Sequence, residues 1–487
     1  MITMSEKISS IKHYILSSPL FFPLLGFLTV FLIGATVGTL GIFVSALIIA
    51  MVILTFVIVQ RQDEIMVMLI IAVHLYVDWY LVYHLVAFVL VILLLGLFYL
   101  TRSPERPWVL PPALKLWLVF LILAAFPAAR GALTLHDLLL YYPAIVFGAL
   151  LMFWLGTLLA RNALSIRRLF QALSFFGALI AIHTIIQNTT GKTLFGSARA
   201  DAYLLTVLNH TLAPGLDVTR SGSFFNEPNW NGAFLAMMFF LPLGLFVESS
   251  SIRAKLLYLA EALVMLPALL FTYSTASWSS LFVGMIFLII FIGRASHRIQ
   301  FVISIAIAGL IMFIFFNSQI ILQFQHSTNA QDLASRVALL QTAWRVIQAY
   351  PLTGIGLGHA AYLLWTAPYH VPMDYIPLDH PHNSYVEWAA MAGLPVLFVF
   401  LALLVAGIRL ALYNWIKADA QTRALLGSGL ALIIALSFNS WSNDCWTLPP
   451  LAAIGWLILG AISSPILRES LIRKMKQEKI YNLRAID

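Results

Sequence analysis

Uncharged hydrophobic runs of about 20 residues recur along the chain from Leu20 to Pro465. A helix needs roughly 20 apolar residues to cross the hydrocarbon core of a bilayer, whereas a transmembrane barrel would show alternating apolar and polar positions. The pattern predicts an all-α, polytopic transmembrane bundle of about 12–14 spans. The candidate spans lie near residues 20–38, 40–59, 65–81, 83–100, 113–129, 138–160, 169–187, 229–248, 256–272, 278–293, 300–316, 385–408, 425–440 and 449–465.

Two polar intervals between these spans are much longer than the others. Loops beyond roughly 12 to 15 residues are usually functional or disordered, and the aromatic content of these two argues against disorder. We therefore expect the function to lie on the side of the membrane that carries them. The predicted organisation is N-terminal transmembrane helices at 1–187, a first long extracytoplasmic loop at 188–228, central helices at 229–316, a large extracytoplasmic loop at 317–384, C-terminal helices at 385–465 and a basic cytoplasmic tail at 466–487.

The charge distribution predicts the orientation of the chain in the membrane. Only 10% of the 487 residues are charged, the mean hydropathy is +0.93 and the formal net charge is +8. The basic short loops, together with both termini, should face the cytoplasm by the positive-inside rule. Nucleic-acid binding would require a basic soluble face, which the sequence lacks. The cations that fall on the outer side are Arg130, Lys192, Arg199, Arg220, Arg336 and Arg345.

Neither processing nor cross-linking is indicated. The N-terminal stretch MITMSEKISSIKHYILSSPLFF has no small-residue cleavage site after its apolar run, so that run is expected to remain as a span. The single cysteine, Cys445, cannot form an internal disulfide, and no Cys/His cluster has the spacing of a zinc site.

Within the second long loop, DLASRVALLQTAWRVIQAYP has helical periodicity, with an N-cap at Asp332 or Ser335 and a stop at Pro351. We expect an interfacial helix that lies on the bilayer, with Arg345 on the face opposite Arg336. Arg336 either snorkels to lipid phosphates or takes part in the function, and the residues alone leave both open. The apolar stripe headed by Arg336 contains Leu340, Ala343 and Ile347.

The stretch PLTGIGLGH, residues 351–359, is rich in glycine. A phosphate-binding loop would need Lys-Ser/Thr after the glycines, and a dinucleotide-binding fold would need a preceding strand. A tight turn that brings the chain back into the protein is the better interpretation.

The segment DHPHNSYVEWAAMAG, residues 379–393, places two histidines, His380 and His382, at the start of a predicted span. Three interpretations remain open. A metal site needs converging ligands, and histidines at i and i+2 are a poor template for one. His382 and Asn383 suit a structural role at the mouth of the following helix. A catalytic histidine is favoured, since imidazole titrates near neutral pH and Asp379 or Glu387 could orient it.

A second polar cluster ends the first long loop, in DVTRSGSFFNEPNWNGAFLAMMFFLPL, residues 217–243. It contains Arg220, Asn226, Glu227, Asn229 and Asn231. Polar groups at membrane depth are costly, so we expect them to line a cavity or to pair with one another. Helix capping by Asn226 or Asn229 would explain one or two amides but not the arginine and the carboxylate.

Together, these segments resemble the superfamily of O-antigen ligases and polymerases, which includes bacterial protein O-oligosaccharyltransferases. The matching stretches are RSGSFFNEPNWNGAF, SRVALLQTAWRVIQAYPLTGIGLG and HPHNSYVEWAAMAGLP, in which the spacing from His382 to Gly393 is similar to a family signature. The resemblance covers residues from about 215 to 410. One departure is that FTYSTASWSSLF, residues 271–282, lacks an arginine that the family often has; Arg199 and Lys192 are the candidate substitutes for it.

The resemblance implies a GT-C-like, metal-independent glycosyltransferase of the bacterial cytoplasmic membrane that uses no cofactor. Its donor would be a glycan on a polyprenyl diphosphate, and its acceptor a lipid A core sugar or another glycan, among membrane lipids. By position, Arg220 and Arg336 would hold the diphosphate, whose developing charge arginines can neutralise, and His382 would activate the acceptor hydroxyl or orient the reacting groups. Supporting residues are expected at Glu227, Asn229, Asp379, His380, Asn383 and Glu387.

Other functions fit the sequence less well. Within the superfamily, a ligase with a lipid A core acceptor is the first hypothesis, and a polymerase that extends lipid-linked repeats is the alternative. A flippase or transporter would show broken helices, internal repeats and ionisable groups near the bilayer midplane, whereas the polar residues here cluster at one outer surface.

Overall fold

The structure is a computed structural model that describes residues 81–100, 102–104, 107–191, 220–225, 227–291, 307, 309–310, 313–321, 330–372 and 380–484. The chain divides into two units, Met1–Val67 and Met68–Asp487, and the described residues all belong to the second. The predicted spans at 20–38 and 40–59 lie outside the described residues, and those at 65–81 and 300–316 lie largely outside them.

Helices form almost all of the described chain. They are α1 (Leu81–Leu100), α2 (Leu114–Gly131), α3 (Leu135–Leu139), α4 (Gly148–Leu159), α5 (Ala163–Thr190), α6 (Pro228–Met238), α7 (Phe240–Glu248), α8 (Ile252–Leu270), α9 (Thr275–Phe291), α10 (Ala330–Ala349), α11 (His359–Trp365), α12 (Ser384–Glu387), α13 (Leu394–Lys417), α14 (Ala420–Asn439), α15 (Pro449–Ile462) and α16 (Pro465–Arg484). Among these residues, seven helical stretches are long and apolar enough to cross a membrane: Leu114–Gly131, Asp137–Leu159, Ala163–Thr190, Pro228–Glu248, Leu394–Lys417, Ala420–Asn439 and Pro449–Gln477. The predicted all-α, polytopic membrane class is confirmed.

The helix predicted at 385–408 begins later than expected. The short α12 ends at Glu387, a π-helical turn follows at Trp388–Ala392, and the long α13 starts only at Leu394. Between them, Gly393 has a φ of +91°, and a Cβ there would meet the Leu352 carbonyl oxygen at 2.5 Å. Only glycine tolerates both this φ and this close contact without strain. The helix is therefore interrupted at Gly393, although the apolar sequence continues through it.

The helix predicted in the second long loop is present as α10, with two corrections to its details. The helix already includes Asp332, so neither predicted N-cap is right; Ala330 and Gln331 are good helix formers and extend it towards the N-terminus. Its exposed apolar stripe is also a different one. Ala343 and Ile347 are buried, because that face packs against the protein. The outward stripe consists of Leu333, Val337, Leu340 and Trp344.

Charged and polar side chains make contacts near both ends of α5. Near the N-terminal end of α5, Arg167 pairs with Glu248 at 3.4 Å. Near its C-terminal end, Thr184 accepts a hydrogen bond from Asn231, so the polar cluster at the end of the first long loop lies beside that end of α5. Arg130, one of the predicted outer cations, donates to the carbonyl of Gly354 in the second long loop.

Close helix packing relies on glycine. A Cβ on Gly156 of α4 would lie 2.0 Å from the carbonyl oxygen of Leu457 in α15, and one on Gly460 would lie 2.0 Å from that of Phe153. Helices in lipid associate largely through van der Waals packing, and small residues let their backbones approach. The α4–α15 pair is therefore fixed by backbone contact.

Six buried aromatic side chains form a closed ring beneath the loop between α14 and α15. Successive ring centroids are 4.9 to 6.1 Å apart, within the range of favourable aromatic contacts. Trp388 belongs to this ring and directly follows Glu387, while Trp446 belongs to the α14–α15 loop. The members in order are Trp117, Phe120, Trp388, Phe400, Trp446 and Trp456. This aromatic ring joins the histidine segment to the C-terminal helices.

We expect Gly156→Ala to destabilise the protein, because its methyl group would overlap the backbone of α15. Overpacking of this kind typically costs about 1–3 kcal/mol, which corresponds to a lowering of the melting temperature by at least ~2 °C. The measurement is thermal unfolding in detergent, followed by tryptophan fluorescence. Gly96→Ala in α1 is the control, since nothing lies within 4 Å of a Cβ at that position. Equal melting temperatures for the two variants would contradict the prediction.

Candidate active site

The loop between α14 and α15, residues 440–448, contacts three segments that are far apart in the sequence. Arg336 of α10 donates through Nη1 to the carbonyl oxygen of Ser442 at 3.0 Å and to its hydroxyl at 2.7 Å. Asn383 donates through Nδ2 to the carbonyl oxygen of Trp441 at 2.9 Å. Trp230 of α6 donates through Nε1 to Asp444 at 2.6 Å. The 440–448 loop therefore brings together both polar loop regions and α10.

Arg345 has different partners. Its Nη1 donates to the carbonyl oxygens of Tyr369 and His370 at 3.3 and 3.5 Å. The prediction that Arg336 and Arg345 do not bind the same group is confirmed, because their hydrogen-bond partners differ.

Arg220 is held by a chain of hydrogen bonds at the start of α6. Its Nη2 donates to Asn229 Oδ1 at 2.7 Å, and Asn229 Nδ2 donates to Glu227 Oε1 at 2.8 Å. Glu227 Oε2 in turn accepts from the backbone N–H of Trp230 at 2.7 Å and caps the helix. Capping by Asn229 is therefore wrong: the carboxylate occupies the N-cap position, and the amide bonds to the guanidinium. Asn226 lies outside the described residues.

The electrostatics of Glu227 connect this cluster to the histidines. Burial raises the pKa of Glu227, which the positive charge of Arg220 and the N–H of Trp230 oppose. Asp444 raises that pKa further and His382 lowers it, so both groups lie within electrostatic range of Glu227. The predicted residues Arg220, Glu227 and His382 thus share one local field.

Three histidine rings lie next to one another beside a buried carboxylate. The rings of His359 and His380 are parallel within 8°, with centroids 4.2 Å apart, and the centroid of the His382 ring, tilted by 48°, lies 4.1 Å from that of His380. We call these three the imidazole stack. Glu387 is fully buried and lies 2.6 Å through Oε1 from His380 Nδ1, while its Oε2 accepts from the Thr447 hydroxyl. Glu387, proposed from sequence to orient a histidine, is paired with His380.

The carboxyl of Glu387 is held in its charged form. Burial by itself would raise the pKa of Glu387, but electrostatic attraction to His380, the hydrogen bond with His380, the nearby His359 and the Thr447 hydroxyl outweigh it. The pKa therefore stays well below its usual range.

The backbone around His382 is specialised. His382 has a φ of +49°, a left-handed conformation that is uncommon for residues other than glycine. Asn383 follows as the N-cap of α12, and its Oδ1 accepts from the backbone N–H groups of Tyr385 and Val386 at 3.0 and 3.1 Å. The structural interpretation is confirmed for Asn383, which caps α12. His382 lies at the bend of the backbone directly before this N-cap.

The glycine-rich turn brings the third histidine into the stack. The backbone N–H groups of Ile355 and Gly356 donate to the carbonyl oxygens of Ala390 and Met391 at 2.9 and 3.0 Å. Gly354 has a φ of +63°, and a Cβ there would meet the Met391 backbone at 2.3 Å. The predicted return of the chain into the protein is confirmed, and it places His359 at the start of α11.

The stack and its carboxylates could also supply metal ligands. One donor atom from each of His359, His380, Glu387 and Asp444 lies within 4.8 Å of the others, and the mixture of imidazole and carboxylate suits a transition metal. Two ligands on one zinc ion, each ~2.1 Å from it, stand roughly 3.0–3.4 Å apart. At 2.6 Å, His380 Nδ1 and Glu387 Oε1 are at hydrogen-bonding distance instead. The absence of a metal therefore stays a prediction.

Sequence reasoning missed four residues of this site: His359, Trp230, Asp444 and Thr447. Asp444 is 1% exposed. Burial raises the pKa of Asp444, and Glu387 raises it further, whereas His380, His382 and the Trp230 N–H lower it. In the sequence, Asp444 is a single carboxylate in an otherwise uncharged turn between two apolar helices. This pattern could have marked Asp444 as a candidate site residue. Asp379, Arg199 and Lys192 lie outside the described residues.

A family model described as O-antigen ligase matches residues 260–401. The matched region contains Arg336, His380, His382 and Glu387, whereas Arg220 and Asp444 lie outside it. A comparison with curated proteins gives no match. The match supports the resemblance of this region of the chain to the superfamily of O-antigen ligases and polymerases.

Proposed function

We propose that this protein transfers a glycan from a polyprenyl-diphosphate carrier to a hydroxyl of a lipid A core sugar at the outer face of the bacterial cytoplasmic membrane. The superfamily supports an enzyme of the ligase or polymerase type that acts on a lipid-linked glycan and an acceptor. We take the ligase as the first hypothesis, and a polymerase that would extend lipid-linked repeats is the alternative.

The observation that carries the proposal is that the 440–448 loop joins the two arginine regions to the histidine segment. Arg336 bonds directly to Ser442, and Arg220 is linked through Asn229 and Glu227 to the start of α6. Trp230 of α6 bonds in turn to the same loop. An enzyme that expels a diphosphate needs cations at the leaving group and a base at the acceptor. Arg220, Arg336 and His382 provide these groups in one region.

In the proposed reaction, His382 removes the proton of the acceptor hydroxyl. The acceptor oxygen forms a bond to the anomeric carbon while the bond from that carbon to the diphosphate breaks. The electron pair of that bond leaves with the diphosphate, whose negative charge Arg220 and Arg336 stabilise. The proton then passes from the imidazolium of His382 to the released diphosphate or to water.

Two further features belong to the proposal. The guanidinium groups replace a metal in stabilising the leaving group, so the reaction is metal-independent. The basic short loops and both termini face the cytoplasm, and the site faces the periplasm, which is the side where a lipid A core acceptor is exposed.

We expect purified protein, supplied with a polyprenyl-diphosphate glycan and equimolar lipid A core, second donor and peptide, to glycosylate the lipid A core. The measurement is the mass of each product, in buffer that contains EDTA. Extension of the second donor alone would make the protein a polymerase. Loss of transfer in EDTA, with recovery when a divalent ion is added, would refute metal independence. The metal site would then be expected at the imidazole stack and its carboxylates.

His382→Ala is expected to lower kcat by about 10²–10⁴-fold, since this is what a positioned general base contributes. The rate of product formation at saturating substrate measures the effect. His370→Ala is the control, because His370 lies in the same long loop and is partly buried, and it should keep near-normal activity. Transfer by folded His382→Ala at the wild-type rate would remove His382 from the mechanism.

Arg336→Ala should lower kcat by roughly 100-fold, as removal of one group that stabilises developing negative charge commonly does. Arg345→Ala is the matched control: it removes the same charge from the opposite face of α10, where Arg345 bonds only backbone carbonyls among the described contacts. We expect its kcat to stay within about twofold of the wild type. Equal losses in the two variants would indicate general weakening of α10 and would contradict diphosphate binding by Arg336.

A further inference from the structure

Two cations from different helices lie beside one exposed tyrosine, at the end of α13 that is far from the histidine segment. Tyr413 is 44% exposed. The Nζ atom of Lys417 lies 5.7 Å from the centroid of its ring, and the Cζ atom of Arg468, from α16, lies 5.0 Å from the same centroid. Both distances are within the range of cation–π attraction. We call Tyr413, Lys417 and Arg468 the basic cluster.

A buried amide fixes the position of Arg468. Its Nε donates to Asn414 Oδ1 at 3.2 Å. Asn414 is completely buried, and its Nδ2 donates to the carbonyl oxygens of Ile462 and Ser464 at 2.9 and 3.1 Å, where α15 passes into α16. An arginine has five N–H donors, and this bond uses one of them. Among the described residues, the terminal nitrogens of Arg468 and the Nζ of Lys417 have no hydrogen-bond acceptor.

No carboxylate neutralises the basic cluster in the part of the chain that the structure describes. Asp419 follows Lys417 by two positions but pairs with Lys474. Glu469 is next to Arg468 in the sequence and makes no ion pair with any described residue. Two like charges beside one ring repel each other, so an anion bound between them would be stabilised by both.

The setting of the basic cluster suits a lipid headgroup. The helix α13 is long and apolar enough to span a membrane, and its Lys417 end is the one that the charge pattern predicts to face the cytoplasm. Tyrosine is enriched at membrane interfaces, and basic pockets between helices on the cytoplasmic side bind anionic headgroups. Arg409 is exposed one helical turn before Tyr413 on the same face of α13, so it adds a third cation that can extend to the headgroups.

We propose that the basic cluster binds the phosphate of an anionic phospholipid in the cytoplasmic leaflet, with Arg468 and Lys417 as phosphate ligands and Tyr413 as the residue that aligns them. A zwitterionic lipid would bring an ammonium group towards the same cations, so the site selects anionic lipids. This binding site goes beyond glycan transfer, because it contains no residue of the candidate active site. The bound lipid joins α13 to α16.

The test is lipid binding by the purified full-length protein in neutral detergent, measured by native mass spectrometry during titration with dioleoylphosphatidylglycerol or dioleoylphosphatidylcholine. We expect phosphatidylglycerol to bind at least about tenfold more tightly than phosphatidylcholine. Arg468→Gln and Lys417→Gln should each lower the affinity for phosphatidylglycerol by about fivefold, which is the contribution of one cation near a membrane surface. Tyr413→Leu keeps every charge and should lower it by about two- to fivefold, whereas Tyr413→Phe should keep it.

Arg473→Gln is the matched control. Arg473 is an exposed arginine of the same helix, roughly 140° around α16 from Arg468, and its Nε bonds to the carbonyl oxygen of Glu469. Its loss should change the affinity for phosphatidylglycerol by less than about twofold. Melting temperatures without added lipid check that each variant is folded. Lys417→Gln leaves the bond between Arg468 and Asn414 intact, so it tests the site even if Arg468→Gln unfolds.

Three results would overturn the inference. The first is equal binding of the two lipids by the wild type. The second is an equal loss of affinity in Arg473→Gln and in the folded variants of the basic cluster, which would indicate a diffuse attraction to positive charge. The third is displacement of phosphatidylglycerol by an equal concentration of glycerol phosphate, which would make the site one for a soluble anion.

Discussion

The pairing of buried polar groups by the 440–448 loop is the interaction on which the rest of the site depends. A buried amide, carboxylate or guanidinium without a partner is costly, so these groups fix one another's positions when they are enclosed together. The loop offers carbonyl oxygens to Asn383 and Arg336 and a carboxylate to Trp230. Movement of this loop would break bonds to three segments at once.

The hydrophobic packing below the loop makes this pairing rigid. Trp446 is part of the loop and Trp388 directly follows Glu387, and both belong to the ring of six aromatic side chains. The ring continues through Trp456 into α15, which contacts α4 so closely that Gly156 admits no Cβ. The polar site thus stands on apolar contacts that extend into the bundle, and the chemistry and the stability of the protein share the same residues.

Local patterns predicted the helices better than they predicted the contacts between them. Continuous apolar runs gave the spans, because a bilayer imposes their length and composition. The bend at Gly393 was missed since it depends on an approach by Leu352, which no local pattern shows. The outward face of α10 was also misjudged: the helix is apolar on two faces, and only the neighbouring chain decides which one is buried.

For the site, the sequence indicated residue types but could not assign partners. Glu387 and His382 are five positions apart, and either histidine of the segment was a plausible partner for the carboxylate. The fold decides in favour of His380. Asp444 was missed for the same reason, since its bond to Trp230 joins residues 214 positions apart. Contacts of this range follow from helix packing, which a single sequence does not specify.

The charged side chains of the site form two groups of contacts that lie within electrostatic range of each other. Arg220 is linked to Asn229 and Glu227, while His380 is paired with Glu387 and its ring lies next to those of the other two histidines. A leaving diphosphate requires positive charge, and a base that becomes cationic requires negative charge nearby. Asp444, bonded to Trp230 of α6 and close to the imidazole stack, lies where the two groups meet, so it is the position from which both can be influenced electrostatically.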